Sequence, residues 1–338
     1  MEIREVTNKS EWEAFLAKHS EANFLQSWYW GDFHEALRKK VYRRGAFEDG
    51  KLVAVSLLIV EPARRGKYIA VPAGPIMDWN NKPLREAVVK DIKNIAQDES
   101  CVFVRIRPAI SPSEENLQMF KELGLRFAPT FLHAELTMRV DLHNSLETLL
   151  SNMRKQTRAM VRKAEKVGVK VTSTTNPLAL KQFYELQMET ATRQGFVAFS
   201  YRFLYEQFRV FAEAGLVKLY TATFEDKILA QAFIIFYGSE SAYHYGASTD
   251  EGRKYPGAYA IQWEVMKEAK ERGMHYHNFW GVAREDEKNH RFYPISIFKR
   301  GFGGEELEYL HAHDMIINKS RYLLNYIVEY ARKVFRRV

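Results

Sequence analysis

Residues 46–58 read AFEDGKLVAVSLL, and residues 223–235 repeat the pattern as TFEDKILAQAFII when one gap is allowed at Gly50. Each copy has two runs of β-forming residues, separated by acidic and turn-forming positions. Asp and Gly accept the dihedral angles that tight hairpin turns require. Both stretches therefore predict a β-hairpin, one in each half of the chain.

The segments around the two hairpins follow the same order. Two amphipathic helical segments precede each hairpin, and a strand, a long helix and another strand follow it. In the first half these are residues 11–19, 33–40, 67–71, 84–97 and 101–106; in the second they are residues 177–194, 201–213, 241–248, 258–272 and 275–280. This order predicts an α/β (α+β) chain of two tandem domains with mixed, mostly antiparallel central sheets. We place the domains at residues 1–145 and 146–318, with a basic helix packed on them at residues 319–338.

The composition is that of an ordinary globular protein, since 46% of the 338 residues are hydrophobic and 27% are charged. Cys101 is the only cysteine, which excludes an internal disulfide, a zinc ribbon and an iron–sulfur cluster. The longest apolar run, at residues 52–60, is too short to cross a bilayer, and residues 1–5 have no signal-peptide pattern. We therefore expect a cytoplasmic protein.

The chain carries 50 Lys and Arg against 42 Asp and Glu, which gives a net charge of +8. Such a balance favours polyanionic partners: nucleic acid, nucleotide phosphates or an acidic membrane face. Net charge alone does not select among these three.

The strongest local excess of positive charge lies in a helix predicted at residues 147–168. Its polar face carries cations at every fourth residue with two more beside them: Arg154, Arg158, Arg162 and Lys166, then Lys155 and Lys163. Cations at this spacing form one stripe, which can follow a phosphate backbone. A solvated helix face is the structural alternative. Because Glu165 is the only acid between Arg154 and Lys166, repulsion along the stripe favours a bound polyanion.

A second basic helix is predicted at the C-terminal end, at residues 319–337. An apolar row runs along it at Leu323, Ile327, Tyr330 and Val334, and cations in its last turn complement the helix macrodipole. We expect this helix to dock on the second domain. Weak contact with an anionic membrane face is the alternative.

Aromatic, basic and glycine residues alternate in Phe298-Lys299-Arg300-Gly301-Phe302-Gly303-Gly304. A Lys held against a partly dehydrated aromatic wall can stabilise the oxyanion that develops during acyl transfer. From the residues alone, a surface loop with two exposed cations is the favoured interpretation.

Two nearby strands carry residues that suit a binding cleft. Tyr243 and Tyr245 are two positions apart on a predicted strand, so both side chains should lie on the same face. Trp280 and Gly281 end the next strand, where the glycine allows a ligand or another backbone to approach closely. The histidines show no recognised zinc spacing, so we predict no metal site.

Short segments along both halves occur in an order that a known family shares. In the first half they are residues 24–27 (FLQS), 30–31 (WG), 74–78 (GPIMD) and 105–108 (RIRP); in the second they are residues 158–169, 192–196 (TRQGF), 243–248 (YHYGAS) and 298–302 (FKRGF). In this order they resemble the FemABX family of non-ribosomal peptidyltransferases, and the shorter FemX-like members in particular. The resemblance covers nearly the whole chain. It implies that each half is a Gcn5-related acetyltransferase (GNAT)-like domain.

The resemblance implies roles for individual residues. Lys299, which follows Phe298, matches the catalytic Lys of FemX-type enzymes, and this reverses the surface-loop interpretation. Tyr243, Tyr245 and Trp280 become candidate substrate-binding residues.

Three positions depart from the family pattern at the acceptor end. FemX-type enzymes place a Lys after the Trp-Gly pair, an Asp before the Pro of the Arg-x-Asp-Pro strand, and an Arg after the Thr/Ala-x-Arg-x-Gly segment. This chain has His34, with Arg38 a turn further on, then Arg107 and Phe199. We take His34, Arg38 and Arg107 as candidate acceptor-binding residues. The acceptor stays open between a UDP-linked muropeptide, a lipid-linked muropeptide, another amine and a molecule outside the cell wall.

By this resemblance the protein is an aminoacyltransferase that moves an aminoacyl group from aminoacyl-tRNA to an amine of a peptidoglycan precursor. The basic stripe would bind the tRNA, which serves as co-substrate, and no cofactor, metal or stable protein partner is implied. For such an activity we expect the protein to be in the cytoplasm, and peripheral attachment to the inner membrane face is the alternative. One alternative is an acyl-CoA-dependent GNAT N-acyltransferase, and another is a non-catalytic RNA-binding or envelope-associated protein.

Overall fold

A computed structural model describes residues 1–194 and 197–336 of the chain. The chain divides into two compact units. The first contains Met1–Glu135, Asn289–Arg291 and Glu308–Val338, and the second contains Leu136–Lys288 and Phe292–Leu307. Each unit is built on one mixed sheet with helices, which confirms the predicted fold class. No helix in the described ranges is both long and apolar enough to cross a membrane.

The elements alternate along the chain as the sequence pattern predicts. Up to residue 141 they are β1 (Glu2–Glu5), α1 (Lys9–Leu16), α2 (Trp28–Ala36), β2 (Val41–Glu48), β3 (Lys51–Glu61), β4 (Tyr68–Pro72), β5 (Ile76–Met77), α3 (Lys82–Asp98), β6 (Phe103–Arg107), α4 (Glu114–Glu122), β7 (Arg126–Phe127) and β8 (Leu136–Asp141). From residue 146 they are α5 (Leu146–Asn152), α6 (Lys155–Val167), β9 (Lys170–Thr174), α7 (Leu180–Gln194), α8 (Tyr201–Glu213), β10 (Val217–Phe224), β11 (Lys227–Tyr237), β12 (Glu240–Ser248), α9 (Gly257–Glu271), β13 (Tyr276–Gly281), α10 (Tyr293–Arg300), β14 (Glu305–Glu308), β15 (His313–Ile316) and α11 (Lys319–Arg336).

The two sheets share one strand order. The first runs β1-β2-β3-β4-β6-β15-β7, with β5 added beside β3, and the second runs β9-β10-β11-β12-β13-β8-β14. In each sheet the fourth and fifth strands pair in parallel. Both predicted hairpins, β2–β3 and β10–β11, occupy the second and third places. The prediction of two equivalent domains is therefore confirmed.

The two hairpin turns correspond residue by residue. Each turn has two central residues with positive φ, Asp49 and Gly50 in the first and Glu225 and Asp226 in the second. This is the backbone of a type I′ turn, which matches the twist of the flanking strands. Each hairpin also has a register shift just before its turn. The gap that we placed at Gly50 was wrong, because Gly50 corresponds to Asp226 and the repeat is continuous.

The boundaries of the units differ from residues 1–145 and 146–318. β8 pairs with β13 in the second sheet, so the second unit begins at Leu136. β15 pairs with β6 in the first sheet, so residues 308–318 belong to the first unit. In each sheet the sixth strand thus pairs with a strand that is distant in the chain, β15 with β6 and β8 with β13, and local patterns do not report such pairing.

A buried ion pair holds β15 in the first sheet. Arg105 donates from Nε and Nη2 to the two carboxylate oxygens of Asp314, at 2.8 Å each. Asp314 is fully buried, and it also accepts a hydrogen bond from the Tyr322 hydroxyl at 3.0 Å. Arg105 Nη2 donates to Glu329 of α11 at 2.9 Å. The same guanidinium therefore fixes both the C-terminal strand and the C-terminal helix.

Each sheet packs on its own hydrophobic core. In the first unit, Val88 and Ile92 of α3 pack with Val104 of β6. In the second unit, Val265 of α9 packs with Ile234 of β11. The amphipathic spacing of these helices explains which of their faces is buried.

Replacing Asp314 with Asn tests the buried pair. The amide keeps the shape of the side chain but removes the fully buried carboxylate that pairs with Arg105, so the free energy of unfolding should fall by about 3–5 kcal/mol. Urea denaturation followed by circular dichroism measures this change. Glu305→Gln is the matched control, because its pair with Arg139 is 2.8 Å long but its side chain is 62% exposed, and it should cost about 0–1 kcal/mol. Equal losses in the two variants would contradict the role assigned to Asp314.

Candidate active site

The second sheet opens between its two parallel strands. Within the described part of the chain, β12 pairs with β13 from Glu240 to Ala242 and not beyond. β12 nevertheless continues to Ser248 and β13 to Gly281. In the first sheet, β4 and β6 remain paired to their last residues. The opening in the second sheet leaves the C-terminal parts of β12 and β13 unpaired with each other.

A bulge in β12 accompanies this opening. Phe233 pairs with Tyr245, and the next residue of β11, Ile234, pairs with Tyr243, so His244 is an extra residue. Because side chains alternate along a strand, one extra residue reverses the face of everything beyond it. The prediction that Tyr243 and Tyr245 share a face was therefore wrong.

The two tyrosines have different surroundings. Tyr243 packs against the core of the second unit and lies near Gly246, where a β-carbon would collide with the Tyr243 hydroxyl. Tyr245 contacts Phe233 and donates from its hydroxyl to Gln207 Oε1 at 3.3 Å. Tyr243 is thus the tyrosine that lies on the same side as the predicted catalytic lysine.

A second irregularity lies in β13. The register of β13 against β8 shifts between Asn278 and Gly281, and Trp280 has a φ of 65°. The Trp280 amide donates to Asn278 Oδ1 at 2.8 Å, which stabilises the bend. The Trp280 and His244 rings approach within 5.5 Å, so the bulges of the two strands face each other.

Lys299 lies near the end of α10 and is buried, with 8% of its surface exposed. Its Nζ donates to the Gly281 carbonyl at 2.6 Å, at the end of β13, and lies 5.8 Å from the centre of the Tyr243 ring. Burial lowers the pKa of Lys299 to about 7. The surface-loop interpretation, which the family resemblance already reversed, is wrong, because the lysine lies inside the protein beside the opened strands.

Phe298 has a supporting position. Its ring packs against Tyr259 at 4.9 Å and Phe302 at 5.2 Å, in the core of the second unit. We predicted Phe298 as a catalytic residue together with Lys299. The structure instead places its side chain among core aromatics, where it anchors α10 and so orients Lys299.

The basic helix is broken, contrary to the prediction of one helix over residues 147–168. α5 ends at Asn152 and α6 starts at Lys155, and Met153 between them has an extended conformation. Arg158 Nη1 donates to the Ser151 carbonyl at 2.8 Å and the Met153 carbonyl at 3.2 Å. Arg158 therefore caps the end of α5, because carbonyls at a helix end have no partner within the helix.

The remaining cations of α6 form the exposed face that the sequence predicted in part. Lys155, Arg162, Lys163 and Lys166 are all exposed, whereas Thr157, Val161 and Ala164 are buried on the opposite side. Arg154 is exposed but lies at the helix start rather than on the stripe. The stripe thus consists of α6 residues at positions 155, 162, 163 and 166.

α6 and α10 are in direct contact. The Arg154 amide donates to the Gly301 carbonyl at 2.9 Å. A β-carbon at Gly301 would lie 2.1 Å from Thr157 Oγ1, so glycine is needed for this approach. The start of α6 therefore contacts the C-terminal end of α10 at Gly301, two residues after Lys299.

The candidate acceptor-binding residues lie in the first unit. His34 is 5% exposed, and its ring lies 5.2 Å from that of Trp30. Burial, with the nearby Lys39 and His133, lowers the pKa of His34 well below its usual value. His34 is therefore neutral and does not replace a phosphate-binding lysine. Arg38 is exposed just after α2, with a φ of 62°.

Arg107 is a buried cation at the end of β6. It is 1% exposed, and its guanidinium lies 4.9 Å from the centre of the Tyr309 ring. Its Nε and Nη1 atoms have no hydrogen-bond partner among the described residues. Burial lowers the pKa of its guanidinium, although Glu135 acts in the opposite direction. Such a group favours an anionic ligand, since an uncompensated buried charge is costly.

Some features of the site were outside the reach of the sequence patterns. His244 as a bulge residue and the Gly281 carbonyl as the Lys299 partner were both missed. The YHYG stretch alternates in the sequence as an ordinary strand does, so no local signal marked the bulge. Gly195 and Phe196 of the predicted TRQGF segment lie outside the described residues. Phe199 is 45% exposed and lies 5.4 Å from the Tyr245 ring.

The fold and the site define a class of protein: two GNAT-like units, with a buried lysine beside opened parallel strands in the second. Solved structures with this fold include a tandem GNAT protein from the clavulanic acid biosynthesis pathway. Its TM-score is 0.60 at 11% identity, over 93% of this chain and 98% of that chain. A crystal structure of FemX matches with a TM-score of 0.85 at 22% identity, over 96% of this chain and 99% of that one.

The chain belongs to the FemAB family, whose model matches residues 7–228 and 219–330. Curated relatives include the lipid II:glycine glycyltransferases of Staphylococcus epidermidis and Staphylococcus aureus. They are 23% and 22% identical to this chain, and each alignment covers 96% of this chain and 95% of the relative. The predicted family is thus confirmed, and the predicted enzyme class is that of these relatives.

The lowered pKa of Lys299 predicts how stability depends on pH. A lysine in the unfolded chain has the ordinary value of 10.5, so the unfolded state binds the proton more tightly. The free energy of unfolding should then rise as the pH increases from about 7 towards 10.5. Lys299→Met should be more stable than the wild type near pH 7 by a few kcal/mol, and this advantage should shrink as the pH rises.

Thermal unfolding of both proteins across this pH range measures the difference. Arg300→Met is the control, because a guanidinium keeps its charge over the whole range. A constant difference between Lys299→Met and the wild type would show that Lys299 has an ordinary pKa.

Proposed function

We propose that this protein transfers an aminoacyl group from aminoacyl-tRNA to an amine of a peptidoglycan precursor. The observation that carries the proposal is the buried Lys299 beside the opened strands, in a chain of the FemAB family. The names of the curated relatives, which are lipid II:glycine glycyltransferases, support the acceptor class. The fold alone would equally suit an acyl-CoA-dependent enzyme, since fold does not determine function.

In the proposed reaction the amine nitrogen attacks the carbonyl carbon of the aminoacyl ester. A C–N bond forms, the ester C–O bond breaks, and the ribose hydroxyl leaves with the proton that the nitrogen gives up. The ester is already activated, so the reaction uses no cofactor besides aminoacyl-tRNA. Protonated Lys299 stabilises the oxyanion of the tetrahedral intermediate, and this stabilisation is strong because the lysine is buried.

The position of Lys299 suits such a role. Its single hydrogen bond described above, to the Gly281 carbonyl, uses one of the three protons of the ammonium group. The other two can therefore point to a substrate oxygen. A pKa of about 7 means that binding of a developing negative charge favours the protonated form at neutral pH.

The exposed cations of α6 are the proposed tRNA-binding surface. Lys155, Arg162, Lys163 and Lys166 lie on one helix, and that helix contacts the end of α10 that carries Lys299. A polyanion bound along α6 would therefore have one end near the reactive centre. Neutralising phosphates releases counterions, which makes such binding sensitive to salt.

For the acceptor we infer a lipid-linked muropeptide. The curated relatives are named for transfer to lipid II. Arg107, with two unpartnered nitrogen atoms, is the proposed contact for an anionic group of the acceptor.

Replacing Lys299 with Met tests the catalytic assignment. Met keeps the length and apolar character of the side chain but removes the charge. Loss of a preorganised oxyanion partner costs about 10²- to 10³-fold in turnover, and the loss should fall mainly on kcat with a smaller change in KM. Transfer of a radiolabelled amino acid from charged tRNA to lipid II measures both constants.

Arg300→Met is the matched control for the Lys299 variant. Arg300 is the adjacent cation, but its Nη2 already donates to the Ala283 carbonyl and its Nε to Glu306. We expect its kcat to change much less. Near-normal kcat in Lys299→Met would remove the assigned role, and activity with acetyl-CoA in place of charged tRNA would favour the N-acyltransferase alternative.

Reversing two charges on α6 tests the tRNA surface. Arg162→Glu combined with Lys166→Glu should weaken tRNA binding and reduce its salt dependence, because each lost phosphate contact removes close to one released counterion. Arg158 is left unchanged, since it caps α5. Lys90→Glu with Lys93→Glu, two exposed cations of α3, is the matched control and should bind as the wild type does. Filter binding over a range of salt concentrations distinguishes the two, and identical salt slopes would exclude α6 as the contact.

A further inference from the structure

α11 (Lys319–Arg336) docks on the first unit through its polar side. Tyr322 is 5% exposed and bonds to Asp314, while Asn325 is 4% exposed and accepts from Arg65 Nε at 3.1 Å. Glu329 accepts from Arg105 at 2.9 Å. These three residues lie at spacings of three and four, so they form one face of the helix. The expectation that α11 docks on the second domain was wrong, because these three side chains bond to Asp314, Arg65 and Arg105, which all belong to the first unit.

The opposite face of α11 is apolar and exposed. Its large side chains are more than half exposed: Leu323 at 60%, Leu324 at 56%, Ile327 at 56%, Tyr330 at 54% and Phe335 at 87%. With 100° between successive residues, these positions fall within one half of the helix circumference. Leu323, Ile327 and Tyr330 of the predicted apolar row thus face away from the unit on which the helix packs, and the side chain of Val334 lies outside the described part of the chain.

Exposed cations flank this apolar face on both sides. Lys319 and Lys333 lie along one edge, and Arg321 and Arg332 lie along the other. Glu329 is the only acidic residue of α11, and it is turned towards Arg105. The outward surface of the helix therefore combines apolar side chains with positive charge and no acid.

We propose that this face of α11 binds the surface of an anionic lipid bilayer, with the helix lying parallel to it. An apolar face bordered by Lys and Arg is the pattern of helices that insert into the interface between headgroups and acyl chains. An 18-residue helix is about 27 Å long, which gives an extended contact. Tyr330 is amphipathic, as residues at this interface commonly are.

Charge favours a bilayer over a second copy of the chain. Pairing two such faces would bring the flanking cations of the two helices, Lys319, Arg321, Arg332 and Lys333, close together, where like charges repel. Anionic headgroups instead attract each cation and are available on both edges. The inference rests on the proposed function at one point only: an enzyme whose acceptor is linked to a lipid acts at a membrane surface.

Vesicle sedimentation with the full chain tests the inference without tRNA or muropeptide. The wild type should bind vesicles of phosphatidylcholine with phosphatidylglycerol, and bind pure phosphatidylcholine vesicles much more weakly. Leu323→Glu with Ile327→Glu should lower binding by tenfold or more. Arg332→Gln with Lys333→Gln should lower it by about fivefold for each lost cation. Unchanged thermal midpoints would show that these exposed substitutions leave the fold intact.

Leu178→Glu is the matched control, because Leu178 is 68% exposed but lies in the second unit, and it should bind as the wild type does. Absence of vesicle binding by the wild type would overturn the inference, as would equal binding by all variants. Sedimentation velocity tests whether a second copy of the chain occupies this face instead. If the wild type is a dimer and Leu323→Glu with Ile327→Glu is a monomer, the face is a self-association surface and the inference is wrong.

Transfer to a detergent-solubilised acceptor separates this inference from the proposed function. The Leu323→Glu with Ile327→Glu variant should retain transfer in detergent while losing vesicle binding, which supports both. Vesicle binding by a wild type that catalyses no transfer would uphold the membrane surface and reject the proposed function.

Discussion

The buried pair between Arg105 and Asp314 is the interaction on which the arrangement of the C-terminal region depends. It joins residues 209 positions apart in the chain and places β15 beside β6. Because Tyr322 and Glu329 bond to the same two side chains, the pair also sets the rotation of α11 about its axis. The apolar face of α11 is exposed for this reason, since the polar side of the helix is the one that satisfies the buried charges.

A small local change in one sheet distinguishes the unit that holds the candidate site from the other unit. Both sheets have the same strand order, and both contain a parallel pair at the fourth and fifth places. Only in the second does an extra residue, His244, interrupt the ladder where the parallel strands separate. Separation leaves the Gly281 carbonyl free to accept from Lys299, so the bulge and the lysine form one arrangement.

The cations of this chain lie in different surroundings, and the roles that we propose for them differ for that reason. Lys299 is buried, and its pKa is lowered to about 7. Such a lysine suits the proposed stabilisation of an oxyanion whose negative charge develops during the reaction. The cations of α6 are exposed and keep water around them, so they suit a mobile polyanion. Arg158 lies on the same helix but is bound to carbonyls at the end of α5. A count of positive charges, or their spacing alone, does not separate these cases.

The sequence by itself determined the elements that depend on neighbouring residues. The hairpins at Asp49 and Asp226, the helices around them and their repeated order all follow from local turn chemistry and periodicity, which act within a few residues. The order of short segments likewise pointed to the family and to Lys299. Only the tertiary structure decided which strand completes each sheet, that Tyr243 and Tyr245 lie on opposite faces, and that the apolar row of α11 is exposed. These features arise from pairing between distant segments, such as Arg105 with Asp314, and local pattern carries no record of a partner some two hundred residues away.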